Sequence, residues 1–144
     1  MTDAQCLCGA LKLTARDQSK LVAACHCLAC QRRTGASFGV GAFYAIDSVE
    51  ISGAATEFVR VGDSGRRVRS YFCPTCGSTV YWKADALPSM IGVAVGALAD
   101  PDFPAPALSV FERSKHPWVH LGGAVEHFPQ GAMRTYSPDL TREA

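Results

Sequence analysis

Apolar and polar positions alternate along this chain in short runs broken by turn residues, a period of two that belongs to strands. Residues 9–15 set Leu11 and Leu13 against Lys12 and Thr14. Residues 21–24 form a short apolar run, and residues 38–46 a longer one that carries Gly39 and Gly41. Glycine inside a strand signals a bulge or a close backbone approach. Residues 56–61 place Phe58 and Val59 among charged neighbours, and residues 67–72 alternate Val68 and Ser70 with Arg67 and Arg69. Residues 79–82 and 90–98 complete the set. Strands this short and closely spaced predict a mainly β domain. The best helix candidate is residues 27–34, about two turns closed by Gly35. Pro101, Pro104 and Pro106 predict an ordered surface loop.

No repeat or linker divides the chain, so residues 1–129 are expected to form one domain and residues 130–144 a peripheral tail. A length of 144 residues suits that reading, and an apolar content of 48% excludes wholesale disorder. Basic and acidic side chains nearly balance at 14 to 13, so charge steers the chain to neither nucleic acid nor an anionic membrane. No apolar stretch approaches the roughly 20 residues that span a bilayer. The start, Met-Thr-Asp-Ala-Gln, lacks the basic and apolar regions of a secretory signal. The expected location is the cytoplasm, where thiols stay reduced.

That compartment changes the meaning of seven cysteines, because clustered reduced thiols more often bind metal than pair as disulfides. Cys6-Leu-Cys8-Gly9 and Cys73-Pro-Thr-Cys76-Gly77 are knuckles, each with a glycine behind it that can turn backbone amides toward the sulfurs. Four thiolates can close a tetrahedral structural zinc site. A redox dithiol at Cys73 and Cys76 would want a βαβ context that the pattern lacks. Cys25, Cys27 and Cys30 offer three thiols within six residues. Three ligands leave a fourth position open, as in catalytic zinc sites. Two other readings stay open: His26 completes a closed four-ligand site, or the three thiols hold no metal. An extended backbone points His26 away from its two neighbours. Three thiolates on a zinc ion sum to one negative charge, a weak Lewis acid suited to holding an incoming thiol as its thiolate. The implied substrates are a thiol and an electrophile such as an aldehyde. Arg32 and Arg33 follow at once; they either clamp substrate carboxylates or form a solvated basic turn.

These motifs recur in the order of a known family. The matching pieces are Cys6-Leu-Cys-Gly-Ala-Leu, Cys25-His-Cys-Leu-Ala-Cys-Gln-Arg-Arg-Thr-Gly-Ala-Ser-Phe, and Tyr71-Phe-Cys-Pro-Thr-Cys-Gly-Ser. Val95-Gly-Ala-Leu with Asp100 and Asp102, and Lys115-His-Pro-Trp-Val, support them. The chain resembles the glutathione-dependent formaldehyde-activating enzymes, a family that also includes centromere protein V. The resemblance implies a β-tent fold of antiparallel strands with few short helices, and two zinc ions per chain: a structural one on Cys6, Cys8, Cys73 and Cys76, and a catalytic one on Cys25, Cys27 and Cys30. It implies addition of glutathione to formaldehyde to give S-(hydroxymethyl)glutathione, a carbon–sulfur lyase reaction in the reverse sense. The chain departs from the family's pattern at Gln5, where a glycine is common, and at Ala99, where the pattern has an aspartate. On this reading His26 either relays a proton to the new alkoxide or serves packing and backbone hydrogen bonding. Trp118, with Phe38 and Phe43, either walls the substrate cleft or packs in the core. A zinc-stabilised adaptor without activity is the alternative function. A methionine sulfoxide reductase of the B type fits the Cys-x-Cys start and the three-cysteine cluster poorly.

Overall fold

The computed structural model describes residues 1–62 and 64–131. The tail expected at 130–144 therefore lies, from residue 132 on, outside the described residues. A three-stranded antiparallel sheet joins β1 (Thr2–Gln5), β2 (Lys12–Ala15) and β5 (Val49–Ser52) in that order. A larger sheet holds β3 (Leu21–Cys25), β4 (Gly39–Ala45), β6 (Thr56–Val61), β7 (Arg67–Phe72), β8 (Thr79–Ala84), β9 (Met90–Ala94), β10 (Leu108–Val110) and β11 (Glu126–His127). Its order is β11-β10-β3-β4-β9-β8-β7-β6. Antiparallel pairing runs from β3 to β6, whereas β10 pairs in parallel with both β3 and β11.

The period of two sorts the large sheet into faces. Val22, Ala42, Tyr44, Val80, Tyr81, Ile91 and Val93 pack with Ala4, Leu11, Leu13 and Ala15 of the small sheet, forming the main core. The opposite face carries Leu21, Ala23, Met90, Leu108 and Val110 at the β10 end, where Leu87 joins them in a second cluster. Toward β6 that second face opens into a cavity.

Runs 21–24, 38–46, 56–61, 67–72 and 79–82 match observed strands to within a residue or two. The run 9–15 shortens to Lys12–Ala15 because Gly9 (φ +80°) is spent on a turn. The run 90–98 divides: β9 ends at Ala94, and Val95–Leu98 wind into a 3-10 turn closed by Ala99 at φ +49°. The sheets are mainly β and mostly antiparallel, as expected, and β10 adds two parallel pairings at one edge. Residues 101–106 contain no strand or helix.

Gly53, at the turn after β5, has φ +92°, and a Cβ there would overlap the carbonyl oxygen of Ala10. That contact holds the end of the small sheet against the loop bearing Cys6 and Cys8. Gly53→Ala combines a left-handed backbone penalty with a clash that backbone must relieve. It is expected to cost at least about 2 kcal/mol of unfolding free energy in urea titrations; an unchanged midpoint and slope would show that the contact carries no load.

Candidate functional site

The outer knuckles have the same local build. After β1, Cys6 N–H donates to Leu11 O at 3.0 Å and Gly9 N–H to Cys6 O at 3.1 Å. Between β7 and β8, Cys73 N–H donates to Ser78 O at 3.0 Å and Gly77 N–H to Cys73 O at 2.8 Å. Gly9 and Gly77 take φ +80° and +78°, the positive values each turn requires. Backbone amides then face sulfur: Leu11 N–H lies 3.2 Å from Cys6 Sγ, and Thr75 N–H 3.4 Å from Cys73 Sγ. Leu7 N–H donates to Ser78 Oγ at 3.1 Å and ties one knuckle to the other. All four sulfurs lie within 4.8 Å of one another. Cys6 and Cys8 sulfurs are 3.6 Å apart, and those of Cys8 and Cys73 3.7 Å. Sulfurs bound tetrahedrally at about 2.3 Å stand about 3.8 Å apart, so the donor set and its spacing fit one zinc ion. Cys6 and Cys73 are fully buried beside the main core.

Cys25, Cys27 and Cys30 converge on the other face of the large sheet, with their sulfurs within 4.8 Å of one another. Cys25 ends β3. Cys27 is not the first helical residue but the cap of α1 (Leu28–Thr34), where its Sγ accepts from Cys30 N–H at 3.3 Å. Gly35 (φ +66°) ends the helix, with its N–H on Gln31 O. The three thiols share charge unequally. Hydrogen bonds from Cys25 and Cys30 hold Cys27 well below the ordinary thiol range. Cys25 is pushed well up, chiefly through its hydrogen bond to Cys27. A trio that already favours a thiolate fits a thiophilic cation.

His26 lies behind this loop. It is fully buried, its ring centroid 5.2 Å from that of Phe38. Its Nε2 meets Ser109 Oγ at 2.8 Å, and Ser109 Oγ donates to Glu112 Oε1 at 2.7 Å. One hydroxyl has one proton, so His26 donates from Nε2. Burial pushes its pKa down and keeps the ring neutral. The backbone is pinned as well: His26 N–H donates to Val110 O, and its carbonyl accepts from Gln31 Nε2 at 3.0 Å and Ser114 Oγ at 2.7 Å. His26 is not among the residues that join the three sulfurs, so the closed four-ligand reading of that cluster is set aside.

A cavity of about 770 Å³ opens beside Cys25 and Cys30. Arg32 and Arg33 both line it, and so does Phe43. Trp118 does not: it is 68% exposed and stacks near His116, with ring centroids 5.4 Å apart. Two further lining residues, Arg60 and Trp82, escaped sequence reasoning. The indole of Trp82 rests on backbone; a Cβ at Gly41 or Gly92 would overlap it. The glycine in the run 38–46 had signalled such a close approach without naming its partner. The Arg33 guanidinium stands 4.5 Å above the Trp82 ring. Among the described residues, no carboxylate forms an ion pair with Arg33 or Arg60. Their charge falls on the cluster: Arg60 helps lower Cys27, and Arg33 acts in the same sense on Cys30.

Among the described residues, no helix is long and apolar enough to cross a membrane. A search of curated proteins returns no match. The crystal structure of a Rhodobacter sphaeroides protein from a structural genomics programme is similar in fold, with a TM-score of 0.54 at 24% identity, covering 69% of this chain and 91% of that one. The model of the family described as "Glutathione-dependent formaldehyde-activating enzyme" matches residues 1–114, which takes in all seven cysteines. The chain therefore belongs to the glutathione-dependent formaldehyde-activating enzyme family.

Proposed function

We propose that the protein binds two zinc ions and acts as a carbon–sulfur lyase of the S-(hydroxymethyl)glutathione synthase kind. Cys6, Cys8, Cys73 and Cys76 would hold a structural ion, and Cys25, Cys27 and Cys30 a catalytic one. The observation that carries this reading is a three-thiol cluster with two of its cysteines on a cavity wall, next to arginines that form no ion pair with a carboxylate among the described residues. An adaptor would need no such open face. When bound, zinc at the three cysteines supplies an electrophilic position that favours the thiolate form of an incoming thiol.

The chain's own residues supply the rest. Arg33, its guanidinium over the Trp82 ring, and Arg32 line the cavity beside the cluster and would receive the carboxylates of glutathione in bidentate pairs. The sulfur–carbon bond forms as the carbonyl π bond of formaldehyde breaks, and the thiol's proton ends on the carbonyl oxygen. His26, held neutral behind the loop, would fix the loop's shape through Ser109 rather than meet the substrate. Seven free thiols suit a reducing compartment, and we place the protein in the cytoplasm. Its near-neutral charge supports small molecules rather than nucleic acid as partners.

Cys30→Ser is expected to lower zinc from two ions per chain to one, keep the far-ultraviolet dichroism, and reduce adduct formation from glutathione and formaldehyde at least about tenfold, read by exchange NMR. Wild-type turnover in that variant would refute the mechanism. Cys73→Ser removes a ligand that ties both sheets and should leave the protein unfolded or aggregated; a soluble, folded variant would count against the structural ion. Arg33→Ala should raise KM for glutathione roughly tenfold, the loss of one charge-assisted contact, with little change in kcat.

A further inference from the structure

The cavity, about 770 Å³, lies in the range that takes one drug-sized ligand such as the tripeptide. Its lining is less polar than glutathione and formaldehyde require. Phe43, Phe58, Val68, Phe72, Trp82 and Val110 are among its lining residues. These side chains come from five strands, so the apolar wall is a property of one sheet face and not of a single loop. Among the described residues, the charged lining residues are all arginines and no carboxylate lines the cavity. That lining offers a γ-glutamyl ammonium no anionic partner, and it offers peptide amides few polar ones. The tripeptide is matched by the arginine rim, and the apolar wall is left for whatever is attached to its sulfur.

Gly41 and Gly92 set the depth of this wall. Side chains at either place would lift the Trp82 indole off the sheet and into the cavity. The paired glycines keep the floor flat and the space open.

We infer that the aldehyde this site takes carries an apolar body of about six to ten carbons, so that its product is a glutathione adduct with a hydrophobic substituent on sulfur. The proposal rests on reading Cys25, Cys27 and Cys30 as the thiol centre. The chemistry is the same redox-neutral addition: the S–H adds across the C=O, sulfur bonds to the carbonyl carbon, and the proton goes to oxygen. The aldehyde's carbon chain lies along Trp82 toward Phe58 at the cavity mouth.

Stable thioethers stand in for such adducts. The zinc-loaded full chain would be titrated calorimetrically with S-methylglutathione and S-hexylglutathione, and separately with butanoate and octanoate. Each fully buried methylene strengthens binding roughly fourfold. In a half-open cleft the hexyl probe is expected to bind at least about tenfold tighter than the methyl probe, and octanoate tighter than butanoate. Trp82→Ala should narrow the hexyl preference at least about threefold. Phe58→Ser should do the same; Phe58 is 61% exposed, so this variant keeps the fold. Equal affinity for the two thioethers would overturn the inference and leave the glutathione reading standing. If neither thioether binds but octanoate still exceeds butanoate, the glutathione reading falls and the apolar site stands. No chain-length preference in either pair, or a preference untouched by both variants, overturns the inference.

Discussion

Four sulfurs brought within 4.8 Å across a seam between two sheets are the constraint on which the rest of this molecule depends. The small sheet contributes Cys6 and Cys8 from the end of β1, and the large sheet contributes Cys73 and Cys76 from the β7–β8 turn. Each knuckle keeps its own shape through amide-to-sulfur contacts, and Leu7 N–H on Ser78 Oγ ties the two together. The main core, from Leu11 and Leu13 to Ile91 and Val93, fills the space directly beside this junction. Burial drives the sheets together, but without direction; the sulfurs fix which edges meet.

The three-cysteine loop is anchored differently. Its sulfurs face forward, while the backbone behind them is pinned to β10 and to the turn after it. Val110, Ser114, Gln31 and the Ser109–Glu112 pair all converge on His26. His127 Nδ1 closes that chain on Glu112 Oε1 at 2.6 Å, carrying the anchorage to β11. A residue flanked by two candidate ligands thus works as a peg, because strand geometry turns it away from them.

The cysteine chemistry was legible in the sequence because it is local. Each knuckle needs only its cysteines and a following glycine, and Cys27 to Gly35 carries its own cap and stop. The long apolar and alternating strands were legible for the same reason. What stayed hidden depends on pairings between distant segments. β1, with the sequence Thr-Asp-Ala-Gln, has almost no apolar signal and exists because Thr2 to Gln5 pair with β2. β10 is three residues long and is held in parallel beside β3. Trp82 became the cavity floor only through register: it lies opposite Gly92, while β4 brings Gly41 beneath it. Trp118 was misleading because a lone tryptophan in a family motif gives no sign of which way its loop faces.

The two cysteine clusters sit on opposite faces of one sheet, with Tyr44, Ile91 and Val93 on one side and Trp82 and Phe43 on the other. This partition separates what the chain must keep from what it can vary. Changes along the cavity face reach the space beside Cys25 and Cys30 without replacing a buried residue of the main core. Over evolutionary time such a fold can change the lining of its cavity by substitution while keeping the core that folds it, since the two are written on different sides of the same strands.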